Sequence, residues 1–166
     1  MSGVLELDEE GYLNLLNTII VNRLGDAVDI ELFHDEDRVK ELVAEAHNYN
    51  VVVIMSNHDF EKVPAKYVIE FRLKKMAALG ADVPKLACMP HNAKDVLTLL
   101  SATNEVNEAI DNPLITMAMG DIGKVTRIAG QVFGSSLSFG AVGKTSAPGQ
   151  LSINDLRNEK NYLEIK

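Results

Sequence analysis

A single cysteine, Cys88, stands in a chain of 166 residues. One thiol cannot build an intrachain disulfide framework, and it excludes a zinc site made of cysteines. Basic charge is also scarce, with 16 Lys and Arg against 24 Asp and Glu and a formal net charge of −8. Holding phosphates needs clustered Lys and Arg, so nucleic acid is not expected as a main partner. No apolar run reaches the roughly 18–20 residues of a membrane helix, so no membrane partner is expected either. The opening MSGVLELDEE lacks a basic stretch followed by an apolar one, so no secretory signal is expected and a soluble, cytoplasmic protein is the default.

What is present is ordinary globular composition. Hydrophobic residues make up 46% and charged residues 24%, which excludes a disordered tail. The length allows one domain over 1–166 with a real core. Strand-like apolar runs are DAVDIELF (26–33), NVVVIMSN (50–57), DVPKLACM (82–89), NPLITMAM (112–119) and SLSFGAV (136–142). They are short and nearly continuous in apolar character, as in parallel sheets covered on both faces.

Amphipathic stretches separate them. One helix is predicted from about Glu9 to Arg23. Asp35 is placed to cap a second, in which Val39, Leu42, Val43 and Ala46 share a face. A third runs over 65–79 with Val68, Ile69, Phe71, Leu73 and Met76 mostly on one side, and Gly80 stops it. Segments 93–110 and 124–134 read as two more. Successive strand starts at about 26, 50, 82, 112 and 136 are 24, 32, 30 and 24 residues apart, the spacing of βα units with parallel strands. The fold class is therefore α/β. A complete (β/α)8 barrel needs about 250 residues. Five strands make either an open sheet or part of such a barrel.

In these folds the chemistry sits at the carboxyl ends of the strands. Lys85 lies inside the apolar run VPKLACMP. It is either an edge-strand lysine reaching solvent or a desolvated amine suited to imine formation. His58 ends the second run, as a satisfied histidine or a proton-transfer group. His34, His47 and His91 read as structural or solvated. Arg127 is expected near the start of a helix, where it is a surface arginine or a partner for a carboxylate. Gly120 and Gly123 do not fit a nucleotide-binding loop. The segment GKTSAPGQ carries Ser146 and Gln150, as a plain connection or as a mobile cover bearing two hydrogen-bonding side chains. Asp29 and Glu31, two residues apart, share one strand face, where they either orient Lys85 or His58 or are satisfied interior charges.

Taken in order, VIMSNHDF, VPKLACMP, ITMAMGDIGKVTRIAG and SLSFGAVGKTSAPGQ resemble type I 3-dehydroquinate dehydratase, the Schiff-base enzyme of the shikimate pathway. The likeness runs from about Asp26 to Arg157. It implies a (β/α)8 TIM barrel, usually dimeric, that dehydrates 3-dehydroquinate to 3-dehydroshikimate by syn elimination without cofactor or metal. By position it implies Lys85 as the imine-forming lysine, His58 as the general acid and base, and Arg127 as the group that grips the substrate carboxylate. Ser146 and Gln150 fall on lid residues, and Phe139 and Met117 on pocket-lining ones. Asp29 and Glu31 match the family's acidic strand.

The family carries three strands ahead of this region, including a Glu-Gly-Gly segment whose acid orients the histidine. This chain opens near where that segment ends, so it is expected to be the C-terminal two-thirds of a barrel, with NEKNYLEIK matching poorly. Two further readings stand beside the dehydratase. One is an inactive fragment that binds ligand or self-associates. The other is a different lysine-imine lyase or aldolase, which the SAPGQ loop disfavours.

Overall fold

The computed structural model describes residues 7–161. Element order is α1 (Glu9–Val21), β1 (Ala27–Glu31), α2 (Glu36–Asn48), β2 (Val52–Asp59), α3 (Lys66–Ala78), β3 (Val83–Cys88), α4 (Ala93–Ala109), β4 (Ile115–Ala118), α5 (Gly120–Ala129), a 3-10 turn (Gly130–Phe133) and α6 (Ile153–Asn161). The four strands pair in parallel in chain order. Among the described residues, no helix is long and apolar enough to cross a membrane.

Local chemistry explains the helix ends. Asp8 and Asp35 accept from backbone N–H groups at Gly11 and Arg38, which caps α1 and α2. Glu9, Glu10, Glu36 and Asp37 add negative charge to those two first turns, where the helix dipole favours it. At the other end of α3, Gly80 has φ +93°, and Ala81 N–H bonds back to the Met76 carbonyl. This is a left-handed C-terminal stop that a β-carbon would strain.

The helices lie on one face of the sheet. Val39, Leu42, Val43 and Ala46 of α2, Ile69, Leu73 and Met76 of α3, and Leu99, Ala102 and Val106 of α4 pack there against Val28, Ile30, Val53, Met55 and Leu86. Each Val, Leu, Ile or Met among them contributes about 1.5–3 kcal/mol when fully buried. Phe71 does not join them. It sits two residues from Ile69, about 200° around the helix, and is 65% exposed. The opposite face of the sheet carries a small second cluster of Ala87, Ile115 and Met117.

Two sequence expectations are corrected. Segment 136–142 is not a fifth strand. Its backbone pairs with neighbours only at isolated bridges near its two ends, Ser135 with Leu114 and Ala141 with Ser152. Gly134 and Gly143, at φ +97° and +84°, turn the chain on both sides of it, so no ladder propagates. Helix α5 begins at Gly120 rather than 124, directly after β4. Arg127 therefore lies in its last turn, away from the helix N-terminus, and that part of the anion-site expectation fails. Gly123 permits this junction, because a β-carbon there would stand 2.3 Å from the Ala118 carbonyl oxygen.

The β1 side of the sheet is unpaired among the described residues. Val52 N–H bonds to the Asp26 carbonyl and Leu32 N–H to the Ser56 carbonyl, so even-numbered groups of β1 face β2. Odd-numbered groups face outward. The Tyr12 hydroxyl from α1 covers two of them, donating to the Asp29 carbonyl at 3.3 Å and accepting from Glu31 N–H at 3.1 Å. A side chain thus blunts an open strand edge. Tyr12→Phe is expected to lower unfolding stability by about 1 kcal/mol, measured by urea titration. An unchanged midpoint would show that water replaces the hydroxyl at no cost.

Candidate active site

The pleat and the parallel register assemble the site. Glu31 stands beside Ser56, Ser56 beside Lys85, and Lys85 beside Ile115, forming one row across the sheet. The next row on the same face carries His58, Ala87 and Met117. Asp29 precedes Glu31 by two residues and shares that face. Alternation therefore gathers two carboxylates, a hydroxyl, an amine and an imidazole on the side away from the main core.

Lys85 is not on an edge strand, since β3 pairs with β2 and β4. Its side chain is only 13% exposed, and Nζ donates to Asp29 Oδ2 at 2.7 Å. The other Asp29 oxygen accepts from Ser56 Oγ at 2.5 Å. Nζ also lies 5.4 Å from the centre of the Phe139 ring. His58 Nδ1 bonds to Glu31 Oε2 at 2.9 Å. An ionised carboxylate only accepts, so Nδ1 carries the hydrogen and Nε2 keeps its lone pair for a ligand. Phe60 stacks on the imidazole, with ring centres 5.9 Å apart.

Arg127 is 2% exposed, not a surface residue. Its Nη2 donates to the Pro148 carbonyl at 3.3 Å and its Nη1 faces Met117 sulfur at 3.6 Å. Among the described residues, Nε has no hydrogen-bond partner. Burial pushes its pKa below the usual guanidinium value. A buried cation with an unmet donor and, among the described residues, no carboxylate paired with it is costly, and an incoming carboxylate would relieve that cost.

The GKTSAPGQ loop closes the site. Gln150 Oε1 accepts from Ser146 N–H at 2.7 Å and from its hydroxyl at 3.1 Å. The Pro148 carbonyl accepts from Gly120 N–H as well as from Arg127. His58, Lys85, Met117, Arg127, Phe139, Ser146 and Gln150 all line one cavity of about 270 Å³, together with Phe60, Ala87 and Met119.

A sequence profile described as type I 3-dehydroquinase matches residues 1–166. The chain belongs to that family. The 3-dehydroquinate dehydratase of Lactiplantibacillus plantarum is 52% identical over 163 residues, covering 98% of this chain and 65% of that protein. The Escherichia coli O1:K1 / APEC enzyme of the same name is 51% identical, covering 97% of this chain and 64% of that protein. Among solved structures, type I 3-dehydroquinate dehydratase from Clostridium difficile, with covalent modified comenic acid, superposes with TM-score 0.91 at 45% identity, over 98% of this chain and 64% of that one. The Geobacillus kaustophilus enzyme gives TM-score 0.93 at 35% identity, over 97% of this chain and 62% of that one. This chain therefore spans about two-thirds of the length of the relatives it matches. Its four βα units are an arc of the family's (β/α)8 barrel.

The profile match reaches beyond 26–157, the stretch that carried the resemblance, and runs through NEKNYLEIK. Within that last segment, Tyr162–Lys166 lie outside the described residues. The other three histidines are each held away from the cavity: His34 by Glu9, His47 by Asp82, and His91 by the Glu61 carbonyl. Cys88 points to the helix face of β3, where burial foremost, then Asp59 and Asp95, pushes its thiol up to about 12. Ser56, Asn57 and Arg72 went unread in the sequence, and Pro148 was read only as part of the mobile loop. Ser56 was legible, because it shares the alternating face of His58. The Pro148 carbonyl was not, because main-chain acceptors leave no mark in side-chain patterns.

Proposed function

We propose that this chain carries the dehydratase chemistry of its family, eliminating water from 3-dehydroquinate to give 3-dehydroshikimate through an imine on Lys85. The observation that carries this reading is the convergence of Lys85, His58 and Arg127 on one cavity under the Ser146–Gln150 loop. Lys85 loses its proton, for which Asp29 is an acceptor at 2.7 Å, and attacks the ketone. Water leaves, and the C=N bond becomes an electron sink. His58 Nε2 takes the acidified proton from the adjacent carbon, the C–O bond beyond it breaks as the double bond forms, and the same imidazole protonates the departing hydroxyl. Hydrolysis of the imine then returns the amine. Arg127 holds the substrate carboxylate, which turns a loose encounter into near-attack geometry. Phe139 and Met117 bound the pocket.

The test is reduction with borohydride in the presence of saturating 3-dehydroquinate. The expected result is a mass increase located on Lys85 by peptide mass spectrometry. Absence of that adduct would sink the reading.

A second reading is favoured by the unpaired β1 side and by the exposure of Val52 on the inner face. In it the chain associates through that side, as a homodimer or higher species, and binds ligand without turnover. A cytoplasmic location belongs to the proposal in either case. Binding of the substrate with no dehydroshikimate absorbance would favour the second reading.

A further inference from the structure

Glu31 does not hold His58 alone. Arg72, on α3 behind the sheet, donates from Nη1 to Asn57 Oδ1 at 2.8 Å. Asn57 Nδ2 donates to Glu31 Oε1 at 3.0 Å. The second oxygen of Glu31 is the one that accepts from His58 Nδ1. Every link has a forced direction. A guanidinium only donates and a carboxylate only accepts, so the amide between them has one satisfied orientation. Reversed, its NH2 group would face a cation and its oxygen an anion. Asn57 is 4% exposed, so water cannot readily repair such a flip. Arg72 is itself steadied over the Phe33 ring, 5.2 Å from its centre.

We propose that Arg72 and Asn57 are positioning residues, which lock Glu31 and through it the Nδ1–H tautomer of His58, leaving Nε2 as the base. The inference rests on the proton-transfer role given to His58 above, but its geometry stands without turnover. A neutral imidazole freed from such a carboxylate would share its hydrogen between both nitrogens. The chain of donors makes the imidazole one-sided before any substrate arrives.

The experiment uses histidine labelled with 15N in the full chain, without substrate, at a pH where the imidazoles are neutral. The two ring-nitrogen shifts of His58 report the tautomer ratio. The expected result is a dominant Nδ1–H form in the parent. Arg72→Met and Asn57→Ala should each lower that ratio by about tenfold, the loss expected for a charge-assisted hydrogen bond. Arg72→Lys, which keeps a cationic donor, should retain most of it. Parent-like shifts in both Arg72→Met and Asn57→Ala overturn the proposal. So does an equal loss in Arg72→Lys and Arg72→Met. Should Asn57→Ala not fold, the half-buried Arg72 site decides alone. Since no substrate is added, a missing borohydride adduct would count against the dehydratase reading and leave this result in place.

Discussion

Replacing Lys85 by arginine is expected to remove turnover by on the order of 10⁴-fold or more while leaving the fold intact. The guanidinium keeps the positive charge that faces Asp29 Oδ2, so the electrostatics of the site change little. It forms no imine with a ketone at neutral pH, so the electron sink is gone. Lys85→Ala should lose as much turnover. Asp29, whose side chain is 41% exposed, would then turn to water. Ligand binding should survive in both variants, because Arg127 and the loop still offer their donors. Steady-state absorbance of the dehydrated product measures the first quantity and calorimetric titration the second. Turnover in Lys85→Arg within tenfold of the parent would refute the nucleophile role.

The second large effect concerns a residue that touches no ligand. Gly149 has φ +73°, and a β-carbon on it would lie 2.2 Å from the Gly120 carbonyl oxygen. An alanine there costs about 1–2 kcal/mol in left-handed backbone before the clash is counted. The loop must lift to relieve it. Lifting withdraws the Pro148 carbonyl from both Gly120 N–H and Arg127 Nη2. It also carries Ser146 and Gln150 off the cavity they line. Gly149→Ala should therefore weaken ligand binding by about 10–100-fold, or roughly 1.4–2.8 kcal/mol. The melting temperature should fall by only a few degrees, about 2–4 °C per kcal/mol, because the main core lies on the far side of the sheet. Calorimetric titration and a melting curve together check the pair. Unchanged affinity would mean that the loop yields without leaving the site.

The order of elements was largely legible from periodicity. The apolar spacing of α2 and the Asp35 cap placed that helix, and the runs around Val53 and Leu86 placed two strands. The burial of Arg127 was not legible, because its local surroundings in MGDIGKVTRIAG read as a surface helix. Only the return of the loop brings Pro148 over it. The 136–142 segment failed for a related reason. Its apolar residues suit a strand, but glycines at positive φ on both sides leave it only isolated bridges. The chain from Arg72 to His58 was hidden because it crosses from a helix on one face of the sheet to a strand residue on the other.

By itself the amino-acid sequence determined the α/β class and the family, and it singled out the side chains proposed to react. Those depend on residue type and spacing along one chain. Tertiary structure alone decided which acid serves which base. Parallel register sets Asp29 against Lys85 and Glu31 against His58, and the loop fold lays a carbonyl on Arg127. Partner choice is a matter of distances between separate elements, and a hydrogen bond forms only where those distances close to about 3 Å.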